Sequence, residues 1–178
     1  GIEPVELDVN DGVSVCRAAS DCNALYLCVG AGRRRLYREV YLSGAKSVVA
    51  AIASGELRRV IYTSSTGVYA QDDGQWVDEG SGADPVSDDG KVLVEAEAIL
   101  LKRSARAVAD GETTVSVVRL GGIYGPGREL ESFVCRAAGT TRSDGDRFVN
   151  LVHLEDICTA MAGLLGVDHH GVLNLCDD

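Results

Sequence analysis

Four short segments place small or polar residues where apolar, strand-like runs end. In an open parallel sheet, ligands bind beyond the carboxyl ends of the strands, and small residues there leave room for a flat ligand. Glycine at a strand end is also common for plain turn reasons. The sequence therefore predicts either a nucleotide site or a set of ordinary turns at Asp8, Gly30-Ala31-Gly32, Ser64-Ser65-Thr66-Gly67 and Gly121-Gly122-Ile123.

Two hydroxyl side chains lie near the third of these ends. Ser65 either hydrogen-bonds an oxygen of a substrate or satisfies local backbone groups. Tyr69 is either an acid/base group or, as we favour, a packed ring whose hydroxyl makes a hydrogen bond.

Two arginines and one histidine are further candidates. Arg119 and Arg128 could each hold an anionic ligand by two hydrogen bonds, but in an acidic chain surface exposure or pairing with carboxylates is favoured. His153 precedes Glu155 and Asp156, which suit the first turn of a helix. We therefore interpret His153 as structural.

The cysteine and histidine spacing does not indicate a metal. None of the six cysteines forms a CxxC pair, whereas zinc sites use closely spaced ligands. The adjacent pair His169-His170 could not share one face of a helix. We expect buried, reduced thiols and no metal.

The net charge and the hydropathy of the chain argue against two classes of binding partner, nucleic acids and membranes. The 178 residues carry a formal net charge of −10, whereas nucleic-acid binders show a basic stripe. The basic triplet Arg33-Arg34-Arg35 is interpreted as a solvated helix start. No apolar run approaches the ~20 residues of a membrane span. These features predict a cytoplasmic protein that binds neither nucleic acid nor membrane.

Apolar runs alternate with helical patterns along the chain. Strands are predicted at residues 5–9, 23–29, 59–65, 114–120 and 172–175, and helices at 36–54, 91–108, 129–138 and 155–165. The second strand is nearly all apolar, so both of its faces should be covered. Strands that alternate with helices indicate the α/β class with a parallel sheet.

Four motifs in this order resemble the extended short-chain dehydrogenase/reductase superfamily, which contains the NAD-dependent sugar-nucleotide epimerases and dehydratases. They are GIEPVELDVND at residues 1–11, TSSTGVY at 63–69, VRLGGIYGPG at 118–127 and VHLEDI at 152–157. The loop DDGQWVDE at 72–79 resembles an atypical bacterial branch. The resemblance covers nearly the whole chain.

The resemblance implies a Rossmann-like, doubly wound parallel sheet and NAD or NADP as the cofactor. It places the adenine near Asp8 and Val9. The ribose and nicotinamide would pass Ser65 and the glycine-containing strand ends, at Gly30, Ala31, Gly32, Gly121, Gly122 and Ile123. A small-molecule substrate is the other expected partner, and the resemblance is compatible with a homodimer.

The catalytic groups of the superfamily are incomplete in this sequence. Its members use a Ser or Thr, with a Tyr and a Lys four residues apart on the next helix. Ser65 matches the first position, but Asp89 and Leu93 occupy the Tyr and Lys positions. Leu carries no charge and Asp is ionised at neutral pH, so neither replaces its counterpart.

The resemblance also predicts chain outside this sequence. The Gly-rich turn that members place after their first strand is missing, so we expect roughly 60 residues of a βαβ portion before Gly1. Residues 1–178 would then be a Rossmann domain that is incomplete at its N-terminus. A small substrate-side region would begin at about residue 122.

Two functional hypotheses remain. One is an NAD(P)-binding, epimerase/dehydratase-like protein that acts on a small hydroxy or keto compound or a sugar-type substrate. The alternative is a non-catalytic dinucleotide-binding or interaction protein.

The acidic loop at residues 70–89 contains Trp76. Its indole either pins the loop to the domain or lines the substrate pocket.

Overall fold

The computed structural model of the chain describes residues 2–32, 36–54, 57–105, 110, 113–131 and 149–177. A short 3₁₀ helix, Thr66–Val68, follows the second strand. In chain order the other elements are α1 (Gly12–Ala19), β1 (Ala24–Leu27), α2 (Tyr37–Ser54), β2 (Arg59–Ser65), α3 (Asp88–Arg103), β3 (Thr114–Leu120), β4 (Gly122–Tyr124), β5 (Leu151–His153), α4 (Leu154–Leu164) and β6 (Gly171–Leu175). The alternation confirms the predicted α/β class.

Four parallel strands form the central sheet in the order β1-β2-β3-β6. The two central strands pair from Arg59 opposite Thr114 to Ser65 opposite Leu120. Because the strands run in one direction, their carboxyl ends meet at a single edge of the sheet. The predicted strand ends that begin at Gly30, Ser64 and Gly121 are therefore gathered along that edge.

Helices cover both faces of this sheet, as a doubly wound fold requires. On one face α1, α2 and α3 pack against Val60 and Tyr62 of β2. On the other face α4 packs with Ile61 of the same strand and Val118 of β3. Successive side chains of a strand point to opposite faces, so β2 contributes to both halves of the core.

A second, two-stranded parallel sheet joins β4 to β5. The chain leaves β3 through Gly121, whose amide bonds the carbonyl of Leu175, and Gly122 then bonds the carbonyl of Asn150. The sequence predicted an irregular segment here. It missed this ladder because the pairing partner lies far along the chain.

The predicted strand at residues 5–9 is wrong. Val5 and Leu7 are exposed, and the chain turns into α1 where the Asp11 amide bonds the carbonyl of Asp8. A strand needs a neighbour for its backbone groups, and within the described ranges no strand pairs with this segment. Only Val9 packs, partly buried against the core.

The prediction that both faces of the second strand are covered is also wrong. Tyr26 and Cys28 are exposed because β1 lies at the edge of the described sheet, with β2 as its one neighbour there.

The other predicted strands and helices agree more closely with the structure, although α1 was not predicted. Strands β2 and β3 have their predicted bounds, and β6, α2 and α4 begin one residue from theirs. α3 begins earlier than predicted because Ser87 caps it, its hydroxyl accepting from the Gly90 amide at 3.0 Å. The predicted helix at 129–138 and the basic triplet lie largely outside the described residues. None of the described helices is long and apolar enough to cross a membrane.

Candidate functional site

An open cavity of about 850 Å³ lies at the carboxyl edge of the sheet, between the strand ends and α4. Its volume falls within the range of small-molecule and cofactor sites. Seven of the strand-end residues and arginines singled out in the sequence line it: Gly30, Ser64, Ser65, Gly121, Gly122, Ile123 and Arg128.

The structure does not bring every predicted cofactor residue to this cavity. Asp8, Val9, Ala31 and Gly32 are not among its lining residues. The Asp8 carboxylate accepts a hydrogen bond from the Asn10 amide at 2.9 Å. The side chain of Val9 lies against Gly44 of α2. Asp8 and Val9 diverge from the cavity because the segment before α1 does not run along the sheet as a strand. Ala31 and Gly32 instead lie beyond the end of β1, past the lining residue Gly30.

Two glycines shape the cavity wall in different ways. A Cβ at Gly30 would meet no heavy atom within 4 Å, so backbone and open space adjoin each other there. A Cβ at Gly121 would lie 3.0 Å from the backbone carbonyl of Leu151. Glycine at 121 is therefore required by the close crossing of two chain segments, whatever ligand the cavity takes.

Ser65 ends β2 and caps the 3₁₀ helix that follows. Its hydroxyl accepts a hydrogen bond from the Gly67 amide at 3.1 Å, the local role foreseen as one of its two alternatives. It also lines the cavity, and a hydroxyl that accepts from an amide retains its own hydrogen for donation. The two interpretations of Ser65 are thus compatible.

The positions of the missing Tyr and Lys lie at the start of α3. Asp89 is half-buried, while Leu93, one turn later, is buried with 6% of its surface exposed. Neither residue lines the cavity. The apolar core thus occupies the place where the resemblance required an ammonium group.

Arg119 forms a buried ion pair with Glu97 of α3. Its Nε and Nη2 donate to the two carboxylate oxygens at 3.1 and 2.7 Å. Burial opposes the charge, but the hydrogen bonds to Glu97 and Tyr69 raise the pKa of Arg119 above its ordinary value. The interpretation as carboxylate pairing is confirmed, and both carboxylate-facing nitrogens are already used.

Tyr69 packs and hydrogen-bonds, as favoured. Its ring lies under the guanidinium of Arg119, 4.9 Å from the guanidinium carbon to the ring centroid, and its hydroxyl accepts from Nη1 of Arg119 at 2.9 Å. The hydroxyl can donate to the carbonyl of Asp78 or to Oδ1 of Asn174. Tyr69 therefore fastens the loop after β2 to the edge of the sheet.

His153 caps α4, and the structural interpretation is confirmed. Its Nδ1 accepts from the Glu155 amide at 3.3 Å, and its ring meets Tyr124 edge-on with centroids 5.1 Å apart. Arg128, in contrast, reaches the cavity wall from a turn closed by backbone bonds to Gly125.

The two interpretations of Trp76 are wrong. Its side chain is fully exposed, and it is not among the residues that line the cavity. The anchors of this loop are instead Tyr69 and Glu79, whose carboxylate accepts from the Asn174 amide at 2.6 Å. These polar contacts hold the neighbouring residues while the indole stays in solvent.

The prediction of buried thiols is also wrong for the described cysteines. Cys28, Cys158 and Cys176 are exposed, and Cys16 and Cys22 are half-buried; all five are free thiols. Two of them, Cys28 and Cys158, line the cavity, which explains their exposure.

One aromatic residue of the cavity, Tyr41, was not among the residues singled out in the sequence. Tyr41 of α2 lines it together with Thr63 and Ser65 of β2. The signal was present in the spacing of Tyr37 and Tyr41, because residues four apart lie on one face of a helix.

A family model described as NAD(P)H-binding matches residues 1–122. Protein YeeZ of Escherichia coli (strain K12) is 36% identical over 160 residues, which are 89% of this chain and 54% of that protein. The chain spans about half the length of the curated relatives it matches.

Two solved structures show the same fold. MoeE5 in complex with UDP-glucose and NAD has a TM-score of 0.77 at 23% identity, over 97% of this chain and 62% of that one. A dTDP-glucose 4,6-dehydratase from Bacillus anthracis in complex with NAD has a TM-score of 0.76 at 17% identity, over 97% and 57%. At these identities the likeness establishes the architecture alone.

Proposed function

The chain belongs to the NAD(P)H-binding family, within the short-chain dehydrogenase/reductase superfamily, and from this premise we propose how it works. The full-length protein binds the dinucleotide across the carboxyl edge of the sheet and acts there on a small hydroxy or keto compound or a sugar-type substrate. The observation that supports this is the cavity into which Gly30, Ser65 and the segment 121–123 converge.

The residues present fit the nicotinamide end of such a cofactor. Gly30 leaves open space at the cavity wall, and Gly121 and Gly122, beyond the end of β3, line it without side chains. We keep Asp8 and Val9 for the adenine, which extends beyond the cavity, and Ala31 and Gly32, next to Gly30, for the ribose. When bound, the dinucleotide supplies or accepts a hydride.

Ser65 has the geometry to act on the substrate. The Gly67 amide fixes its oxygen at the cavity wall, so its hydroxyl hydrogen can be donated to a substrate oxygen. Such a bond polarises a carbonyl and is favoured where charge develops on that oxygen. Arg128, on the same wall, would attract an anionic part of the ligand.

The proposal extends to location and organisation. Unpaired thiols at the five described cysteines are typical of a reducing compartment, and we place the protein in the cytoplasm. We assign the segment from about residue 122 onward to the substrate side through β4 and β5, which lie outside the central sheet, while β6 of the same segment returns to that sheet.

The test is dinucleotide binding by the full-length protein. We expect NADH or NADPH fluorescence titrations to show saturable binding, and Gly30→Leu to weaken it at least about tenfold, ~1.4 kcal/mol. The added side chain enters open space, so the melting temperature should hardly change. Gly82→Leu is the matched control, because a Cβ there also meets nothing within 4 Å and Gly82 is not a lining residue.

Absence of binding to either dinucleotide would contradict the proposal. A turnover screen over small hydroxy and keto compounds and sugar derivatives then separates the enzyme from the non-catalytic alternative. Binding without turnover across those classes would favour the latter.

A further inference from the structure

Three tyrosines cluster where α2 meets β2 and the start of α3. Tyr37 and Tyr41 lie one turn apart on α2, with ring centroids 4.4 Å apart. Tyr62 lies beneath them on β2, fully buried. The Asp89 carboxylate, at the start of α3, contributes to raising the pKa of Tyr37.

One tyrosine of this cluster lines the cavity. Tyr41 lines it together with Ser65 and Thr63, and its side chain is half-buried. Tyr37 and Tyr62 are not lining residues. The cluster therefore presents a phenol to a ligand through Tyr41.

Tyr37 packs beside Tyr41 on the same face of α2. Burial, the neighbouring Tyr41 and the Asp89 carboxylate raise the pKa of Tyr37 above its ordinary value. The Tyr37 phenol therefore stays neutral beside Tyr41. A tyrosine hydroxyl can donate as well as accept a hydrogen bond, so Tyr41 can donate its hydrogen to a ligand.

The buried member of the cluster, Tyr62, is unusual for a residue of a protein core. The hydroxyl of Tyr62 is buried and has no hydrogen-bond partner among the described residues. An unsatisfied buried hydroxyl is costly, and such groups gather where a site has a use for them. Burial also raises the pKa of Tyr62, with Tyr41, Glu97 and Tyr37 adding to the effect, so this phenol stays neutral beneath the other two.

We propose that Tyr41, packed against Tyr37, is the proton-donating catalytic residue of this site. It approaches the cavity from α2 and does there what Asp89 and Leu93 cannot do from α3. The assignment rests on the proposed function, because it presupposes a keto or hydroxy substrate beside the dinucleotide.

The proton balance follows from these contacts. As a keto group is reduced, its carbon would gain a hydride that the bound dinucleotide supplies, and its oxygen would gain the proton of the Tyr41 hydroxyl. Tyr41 would then be reprotonated from solvent, which it reaches because it is only half-buried. Oxidation of a hydroxyl runs through the same atoms in reverse.

The test uses the full-length protein carrying 3-fluorotyrosine, whose ¹⁹F resonances are assigned by Tyr→Phe variants. We expect saturating dinucleotide to shift the Tyr41 resonance and to leave that of Tyr124, which is not a lining residue, unmoved. Tyr41→Phe should lower turnover in the substrate screen by roughly 10²–10⁴-fold. The dissociation constant of the dinucleotide should stay within about twofold, since a phenyl ring keeps the packing.

Matched variants separate catalysis from packing. Tyr37→Phe should lower turnover less than Tyr41→Phe, and Tyr124→Phe should leave turnover unchanged. An unmoved Tyr41 resonance in a saturated complex overturns the assignment, as does wild-type turnover in Tyr41→Phe. Dinucleotide binding without turnover of any screened compound also overturns it. Failure to bind either dinucleotide contradicts the proposed function itself, and the assignment falls with it.

Discussion

At the scale of single residues, the main feature of the interior behind the cavity is a buried pair of opposite charges. Arg119 and Glu97 are almost completely buried, at 6% and 5% side-chain exposure. Ser64 adds a donor to the same carboxylate at 2.6 Å. Removing water from two charges is expensive, and the cost is met only while every partner is present. This pair ties α3 to β3, so its loss would disturb the helix next to the tyrosine cluster.

We expect Glu97→Ala to lower the free energy of unfolding by about 3–5 kcal/mol, because it leaves Arg119 charged and buried without its carboxylate. Urea unfolding measures the loss. Glu95→Ala on the same helix is the control: the pair of Glu95 with Arg38 is exposed on both sides, and such pairs contribute about 0–1 kcal/mol. Equal effects of the two substitutions would refute this account of the buried pair.

At the scale of elements, the cavity depends on how closely the end of β2 approaches the start of α3. A Cβ at Gly90 would lie 2.6 Å from Cβ of Pro85 and 2.9 Å from the carbonyl oxygen of Gly67. The 3₁₀ helix after Ser65 therefore touches the first turn of α3 without space for a methyl group. The same contact fixes where Ser65 stands relative to the helices behind it.

We expect Gly90→Ala to destabilise the fold by about 1–3 kcal/mol through overpacking, despite alanine's better helix propensity. The comparison is Gly163→Ala in α4, where a Cβ would meet nothing within 4 Å and should stabilise by about 0.5–1 kcal/mol. Thermal unfolding of both variants gives the two signs. A stabilising Gly90→Ala would show that this contact opens readily.

The first helix has a pH-dependent cap. Asp11 caps α1, and its pKa is lowered by hydrogen bonds from the Ser14 hydroxyl and the Val13 amide. A pKa lowered by folding contributes stability above the unfolded value, near ~3.9, and that stability is lost as the pH falls through the folded value. Asp11→Asn should therefore be less stable than wild type at neutral pH. Urea midpoints measured from pH 7 towards pH 3 should converge, and a constant offset would contradict this.

At the scale of the whole molecule, the candidate site belongs to no single layer. One wall comes from α2, which packs on one face of the sheet, and another from α4 on the opposite face. The strand ends lie between them. A ligand that fills this cavity therefore contacts both halves of the core and should stabilise them together.

We expect dinucleotide at about 100 times its dissociation constant to raise the free energy of unfolding of the full-length protein by ~2.7 kcal/mol. Urea midpoints with and without NADH or NADPH measure the shift. Gly30→Leu should need a proportionally higher concentration for the same gain. An unchanged midpoint at concentrations that saturate the fluorescence titration would show that binding does not depend on the native fold.

The sequence by itself determined the elements whose evidence is local. Apolar runs and helical spacing are properties of neighbouring residues, so β2, β3, α2 and α4 could be predicted nearly to the residue. The ordered motifs similarly indicated the superfamily and the cavity residues Gly30, Ser65 and 121–123.

Only the tertiary structure decided what depends on distant partners. Residues 5–9 have a strand pattern but pair with no strand in the part of the chain that the structure describes. The pairing of β4 with β5, the buried partner of Arg119 and the exposure of Trp76 all depend on segments far apart in the chain. Tyr41 shows the same limit: the sequence places it on one face of α2, but only packing against β2 turns that face towards the cavity. A side chain's chemistry is local, whereas its burial and its partners are set by the folded chain as a whole.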